Sequence, residues 1–372
     1  MRGVREMVKK GVAKGLVLAG ADSLFRHFNR NRLLVIMYHG VTRQSYRPPV
    51  WTQLPLPVFR SQLEFLRRYY RPVTLQQVVR ALDRGEPLPE RAALITFDDG
   101  LKNNFSVAFP VLKELGLPAA VFLTVDLIGG SEMLWFDELY LLIRQGGASG
   151  VALEFPMAAA QRHYQAGELW EAYVFCVEEA KRAGCGMRRD LLGALRSRVP
   201  LDREPHLGDF GLLEWGEVRE MERSGLVGFG VHTATHRILS ELQEHELAEE
   251  VVAPRKRFAE ELGVEPESFC FPNGRPGVDF APMHQEYLRS SGYLCAFSTG
   301  DDLFDQKRGD RMGITRIPAG NDGSSDPDYF RLNTSGALHP YRVLRSWRAR
   351  GTQSGATRFR GEDGRWPHQG WK

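Results

Sequence analysis

Two short runs carry the residue types that could do chemistry. Thr96-Phe97-Asp98-Asp99-Gly100 puts two carboxylates side by side behind the apolar run Ala92-Ala93-Leu94-Ile95. That run reads as a buried strand, and the glycine lets the backbone turn after it. Two acids at the end of a buried strand must each find a partner or be neutralised. A metal ion with a water beside it satisfies both, one carboxylate binding the metal and the other handling the water's proton. The plainer reading is a solvated Asp-Gly turn. The second run, His232-Thr233-Ala234-Thr235-His236, directly follows the strand-like segment Val227-Gly228-Phe229-Gly230-Val231. Histidines at i and i+4 share one face of a helical turn, so both imidazoles can reach one ion. Taken alone, such a pair is more often a chance or surface feature. Two His and one Asp leave a coordination position for water, as catalytic zinc sites do. Together with the acid pair at a similar strand end, the spacing predicts a metal site.

With these two motifs the chain resembles the polysaccharide deacetylases, the NodB-homology carbohydrate esterases of family 4. Thr-Phe-Asp-Asp-Gly and His-[Ser/Thr]-x-x-His are that family's first two motifs, present here intact and in order. The segment Phe109-Pro110-Val111-Leu112-Lys113-Glu114-Leu115-Gly116-Leu117-Pro118-Ala119-Ala120-Val121-Phe122 is similar to the helix and strand that follow the first motif. Met37-Tyr38-His39-Gly40-Val41 and Phe271-Pro272-Asn273-Gly274 are further echoes, the first marking a subgroup with an early Tyr-His-Gly. The resemblance spans residues 33–335. It implies a distorted (β/α)7 barrel and removal of N-acetyl groups from N-acetylhexosamine units of a polysaccharide or its lipid-linked precursor.

Carried over residue by residue, the resemblance makes Asp99, His232 and His236 the ligands of one divalent ion, with zinc the first choice. Asp98 becomes the general base for the attacking water. The backbone N–H of Asn273, after the proline of the third motif, becomes the oxyanion donor. Two departures follow. The family's late Leu-x-His histidine is missing, since Leu338-His339-Pro340 lies in the basic tail with the wrong spacing. His39 is the candidate general acid in its place, against the alternative of a buried packing histidine. The arginine expected two residues before the third-motif proline is replaced by Cys270. Arg316, in Thr315-Arg316-Ile317-Pro318 following a strand, could orient Asp98 instead. The alternative for Arg316 is a surface salt bridge.

The elements that must position these groups alternate. Leu33–Tyr38, the run before Asp98, Ala119–Thr124, Val227–Val231, Ser268–Phe271 and Leu294–Ser298 read as strands. Pro57–Tyr70, Thr74–Leu82, Val107–Leu115, Leu242–Leu262 and Pro282–Ser291 read as helices, Thr74 serving as an N-cap. This rhythm suggests a parallel α/β barrel with its site at the strand C-termini. Residues 138–212 break it with the helical patterns Leu169–Ala183 and Arg188–Leu195, a helical insertion. Residues 33–335 therefore form the catalytic domain. Residues 336–372, rich in Arg, Gly, Ser and Thr without apolar periodicity, read as a disordered basic tail.

Composition fits a globular enzyme: 372 residues, 42% hydrophobic and 26% charged. The four cysteines show no Cys-x-x-Cys spacing, demand no disulfides and suit a reducing compartment. Charge is uneven. Residues 1–32 and residues 336–372 each hold eight Lys/Arg against two Asp/Glu, so with +3 overall the stretch 33–335 carries −9. No nucleic-acid motif accompanies the basic ends, and the acidic body would repel phosphate. Val4, Val8, Val12, Leu16, Leu24 and Phe28 recur at helical spacing among basic residues, which predicts an amphipathic helix over residues 1–32. It could contact an anionic membrane or dock on the body. Lys14 and Asp22 interrupt the apolar stretch, so it does not read as a signal peptide, and the expected location is cytoplasmic, peripheral to the inner membrane. Exopolysaccharide and envelope glycans of bacteria are assembled there.

Three other functions stay open on the sequence. A carbohydrate-binding protein could keep the fold without turnover, but it would not need the spare Asp98. Two His and a carboxylate also form the facial triad of non-heme iron oxygenases, whose usual barrel is antiparallel. Relatives of the fold can also cleave small non-sugar amides.

Overall fold

A computed structural model describes residues 2–340, with side chains from residue 7 onward. Every run that ends in a candidate site residue becomes a parallel strand of one sheet. The barrel strands are β1 (Leu34–Tyr38), β2 (Ala92–Phe97), β3 (Ala119–Leu123), β4 (Val227–Val231), β5 (Ser268–Cys270), β6 (Cys295–Thr299) and β7 (Ile314–Pro318). Neighbours pair in this order, and β1 pairs with both β7 and β2, which closes the ring. The two-residue strand Arg71–Pro72 adds to the beginning of β2. The chain is thus a closed, all-parallel (β/α)7 barrel; the alternation of patterns predicts the parallel barrel, and the family resemblance implies its seven repeats.

Alternation along each strand sorts the side chains. Val35, Leu94, Ala120, Phe122, Cys270, Phe297 and Ile314 point inward and pack together, all buried. Leu34, Ile36, Ala93, Ile95, Val121, Phe269 and Ile317 point outward and pack beneath the surrounding helices. The inward column of β2 continues from Leu94 through Thr96 to Asp98, and that of β7 from Ile314 to Arg316. The same period therefore lifts a carboxylate and a guanidinium to the top of the barrel interior.

Helices Leu56–Tyr69, Leu75–Arg84, Phe109–Leu115, Ala253–Leu262, Pro282–Ser290 and Pro327–Ser335 are interspersed among the strands. Thr74 caps the second of these with a reciprocal Gln77 capping box. Between β3 and β4, helices Trp135–Ala148, Ala158–Gln165, Leu169–Ala183 and Cys185–Arg196 build a second apolar core with Tyr46 and Val50.

Some elements differ from expectation. The long helix over 242–262 is broken: a short turn, Glu244–Leu247, runs through a π-helical turn, Ala248–Val252, into Ala253–Leu262. Pro254, which has no N–H to donate, sits in the first turn of the last piece. Arg316 stands on β7, not after a strand. His232–His236 is no helical turn. It is an irregular turn in which Thr233 and His236 both have φ near +64°. The N-terminal amphipathic segment forms two helices, Arg2–Leu18 and Ala21–Phe28, parted at Gly20 with φ 79°. No helix of the described residues is long and apolar enough to cross a membrane. The tail reading for 336–372 falls, from residue 341 on, outside the described residues.

Candidate active site

The two acids of the first motif meet different surroundings. Asp98 continues the β2 ladder, its N–H donating to the Tyr38 carbonyl at 3.0 Å. Its carboxylate accepts both arms of Arg316, at 2.6 Å from Nη1 and 2.8 Å from Nη2. Arg316 is fully buried, spans to the Ser298 carbonyl through Nε at 3.1 Å, and lies over the Phe122 ring at 5.7 Å. Cys270, at the position where the family's arginine was expected, also touches Asp98, with Sγ 3.6 Å from Oδ1. Burial would push the Asp98 carboxyl up, but the charges of Arg316 and His232 overcome it and hold it well below the usual range. Asp98 is therefore an ionised carboxylate in a fixed orientation.

One residue later the chain turns. Asp99 has φ 73° and Gly100 φ 76°. A β-carbon on Gly100 would sit 2.9 Å from the Leu123 side chain, so this turn needs glycine on both grounds. Asp99 is fully buried, and neither of its oxygens has a hydrogen-bond partner. One of them lies 3.4 Å from His232 Nε2 and 3.3 Å from His236 Nε2. These ligand atoms all lie within 4.8 Å of one another. His232 Nδ1 faces the Cys270 carbonyl at 2.8 Å, which aims Nε2 at Asp99. Burial pushes His236 down to about 3, leaving a neutral imidazole. A buried carboxylate with two unpaired oxygens facing two imidazole nitrogens fits a divalent ion of the zinc type. Asp98, His232 and Cys270 form a second close group. It fits a metal less well, because Arg316 already neutralises Asp98 and burial raises the Cys270 thiol.

The His turn is held by Glu250 from the π-helical turn. Its carboxylate accepts the backbone N–H groups of Ala234 and Thr235 at 3.1 and 3.0 Å, and the Thr235 hydroxyl. His236 N–H donates to Thr233 Oγ1 at 2.9 Å. Four of the five non-glycine residues with positive φ among the described residues, Asp99, Thr233, His236 and Asn273, fall in this region. Strain concentrated there is paid by the surrounding hydrogen bonds.

The remaining candidates line the mouth. His39 is half-buried at the end of β1, its ring edge-on to Trp51 at 4.8 Å. Burial lowers its pKa, opposed by the charges of Asp99 and Asp98. Asn273 has φ 57°, its carbonyl accepts from Thr299 Oγ1 at 2.7 Å, and its Nδ2 is buried without a partner. His339 is not brought to the site; it pairs with Asp302 at 3.2 Å.

Sequence reasoning missed two acids. Glu250 lies in a run of Glu and Val that reads as an ordinary exposed helix face. Asp137 opens the helix Trp135–Ala148, beside Phe136, whose ring meets His236 at 5.3 Å. Asp137 is fully buried, accepts from Thr52 Oγ1 at 3.3 Å, and has its other oxygen unpaired. Burial, and then the charge of Asp99, push its carboxyl well above the ordinary range. The signal was available in Trp135-Phe136-Asp137-Glu138, where acids interrupt an apolar helix start.

Comparison with known proteins extends these observations. The chain is similar to the poly-β-1,6-N-acetyl-D-glucosamine N-deacetylase of Escherichia coli K12, with 31% identity over 113 residues, 29% of this chain and 17% of that protein. It is likewise similar to the enzyme of that name from Staphylococcus epidermidis, with 33% identity over 88 residues, 23% of this chain and 29% of that one. The matched stretches thus span well under half of these curated relatives. Among solved structures, IcaB from Ammonifex degensii shares the fold at 21% identity, with a TM-score of 0.53, covering 82% of this chain and 97% of that one. A polysaccharide deacetylase from Bacillus cereus does so at 15% identity and a TM-score of 0.52, covering 82% and 69%. The sequence pattern of the polysaccharide deacetylases matches residues 85–293, more than half of the chain, and the protein belongs to that family.

Proposed function

We propose that this protein hydrolyses the N-acetyl amide of N-acetylhexosamine units in a polysaccharide or its lipid-linked precursor. The observation that carries this reading is the division of labour between adjacent acids: Asp98 locked by Arg316, Asp99 unpaired and facing two imidazoles. A binding protein has no use for a charged base held so firmly. Asp99, His232 and His236 would hold one divalent ion, zinc in the first instance, which supplies Lewis acidity toward the amide carbonyl and acidifies a water.

The chain's own residues then do the following. Asp98 takes a proton from the attacking water, and its ionised state suits that task. Arg316 keeps the carboxylate aimed and charged. The Asn273 N–H stands on a turn held by Thr299, and donates to the oxygen of the tetrahedral centre. As the C–N bond breaks, acetate departs and the amine nitrogen takes a proton, for which His39 is the donor. Burial lowers the His39 pKa, and the proton it hands to the amine is the one that Asp98 took from the attacking water, passed on within the site. Trp51 holds its ring in place.

The relatives' printed activity makes poly-β-1,6-N-acetylglucosamine the first polymer to assay. Acetate release from it should depend on metal, stop with chelator and return on adding zinc. It should be lost in Asp98→Asn with metal retained. The double variant His232→Ala and His236→Ala should lose the ion. Acetate release unaffected by chelator, or full metal content in the double variant, would sink the assignment. Turnover of small non-sugar amides with none on N-acetylated glycans would keep the chemistry and move the substrate class.

A further inference from the structure

The N-terminal helices have two unlike sides. On one, Ala13 and Val17 are buried against Leu332 of the helix Pro327–Ser335. Asp22 is buried and accepts both Arg331 Nη2 and Nε, at 3.0 and 3.1 Å. Arg26 lies over the Tyr69 ring at 4.7 Å. Apolar packing, an ion pair and a cation–π contact thus tie the helices to the folded body.

The other side is apolar and faces water. Of the eleven exposed large apolar side chains among the described residues, seven fall within residues 7–28, so they concentrate on the N-terminal helices. Val8 is 60% exposed, Val12 58%, Leu18 79% and Phe28 69%. At about 100° per residue, Val8, Val12 and Leu18 lie on the side turned away from Ala13 and Val17. Lys9 borders this arc on one edge and Lys14 on the other, and both are exposed. None of the described side chains of this helix is acidic.

We propose that this face is an interfacial membrane-binding surface. Lys9 and Lys14 meet the phosphates of anionic lipids, while Val8, Val12 and Leu18 enter the acyl boundary. The arrangement is that of a helix lying in the plane of the interface, its lysine stems running along apolar surface with the charges at headgroup level. A second copy suits the patch less well. A two-fold contact sets the same patch against itself and would bring both sets of lysines together. The patch also lies away from the candidate site. The Arg30 carbonyl accepts from the Arg91 N–H just before β2 begins, whereas Asp98 and Asp99 lie where β2 ends. Nothing in this reading depends on the deacetylase assignment.

Flotation of the full chain with vesicles tests it. The protein should float with phosphatidylglycerol-rich vesicles, stay behind with pure phosphatidylcholine, and lose binding as salt rises. Lys9→Glu with Lys14→Glu should weaken binding about thirtyfold or more, from about 1 kcal/mol for each lysine near an anionic surface. Val8→Ser with Val12→Ser and Leu18→Ser should weaken it as strongly while leaving the melting temperature unchanged. Failure of the wild type to float with any vesicle would overturn the proposal, as would flotation indifferent to both variants. A concentration-dependent dimer that the serine variant dissolves, in a protein that does not float, would assign the face to a second copy.

Discussion

The two ends of this barrel depart from ordinary packing in opposite directions. Where the strands end, polar and ionisable groups are buried: Asp98, Asp99, Arg316, Asp137 and Glu250 are all nearly sealed from water. Where the strands begin, apolar groups are exposed on the N-terminal helices. Most residues in between follow the simple rule of apolar inside and polar outside. A buried polar group or an open apolar patch costs free energy that folding alone does not require. Each departure is therefore a place to look for something outside the chain that completes the packing. In the two proposals made above, this would be an ion and a substrate at one end and a lipid surface at the other. The mouth is also strained, with its positive-φ residues, while the described part of the N-terminal helices carries positive φ only at Gly20.

The largest expected effect separates the adjacent acids. Asp98→Asn should lower deacetylation about 10²–10⁴-fold, the usual worth of a positioned base, with metal content unchanged. Asp99→Asn should cost metal binding first and activity as a consequence. Metal analysis beside initial rates tells the two apart. If Asp98→Asn loses metal while Asp99→Asn keeps it, the roles are exchanged and the contrast drawn from Arg316 is wrong.

Arg316 sharpens the contrast next. Replacing it with Met removes the largest influence that opposes burial at Asp98, so the carboxyl pKa rises. The base form is then lost at higher pH, and the acid limb of kcat/KM should move upward, with greater loss of rate at pH 5 than at pH 8. Arg316→Lys keeps the charge without the fork and should fall between. Stability follows the same sign. The Asp98 pKa is depressed in the fold, so the ion pair stabilises above the unfolded carboxyl pKa and is lost as pH falls through the folded one. Breaking such a buried pair costs about 3–5 kcal/mol at neutral pH. An unchanged pH profile in Arg316→Met would show that Asp98 is not the titrating base.

Legibility in the sequence follows the range of the interactions. The strands and the chemistry at their ends are local, written in period-two runs that stop at Asp-Asp-Gly and His-Thr. The Asp98–Arg316 clamp joins residues 218 apart. The arginine could be nominated by residue type, but its place on β7 and its inward aim depend on sheet closure. The backbone of the His turn was misread because a left-handed Thr or His carries no signal of its own. Only the contacts from Glu250 over-determine it. The insertion's helices were readable by period over 169–183, yet its delivery of Phe136 and Asp137 to the mouth depends on how a second core docks.

Glu250 offers the next test, of intermediate size. It touches no candidate ligand but holds the backbone between two of them. Glu250→Gln keeps the shape and weakens two charge-assisted hydrogen bonds to N–H groups. Metal affinity should fall about tenfold, at the low end for supporting residues around metal sites. The rate at saturating metal should recover nearly in full. A rate that stays low with metal bound would place Glu250 in the chemistry and not behind it.

The smallest expected effect lies at the opposite end, and it tests whether the two faces of the N-terminal helix are as unlike as their burial says. Val8 and Val17 are the same residue type on one helix, nine positions apart in sequence, one 60% exposed and the other 8%. In solution Val8→Ser removes no packing, so stability should change by less than about 0.5 kcal/mol. Val17→Ser gives up apolar contact with the body and buries a hydroxyl, which should cost about 1–2 kcal/mol. Denaturant midpoints at constant m compare the two directly. Activity on soluble polymer should be the same in both, because neither reaches the mouth. With anionic vesicles present the order of importance should reverse: Val8→Ser loses binding, and Val17→Ser keeps it as long as the fold holds. If Val8→Ser destabilises the protein as much as Val17→Ser does, the outer face is already covered in solution and is not free for lipid.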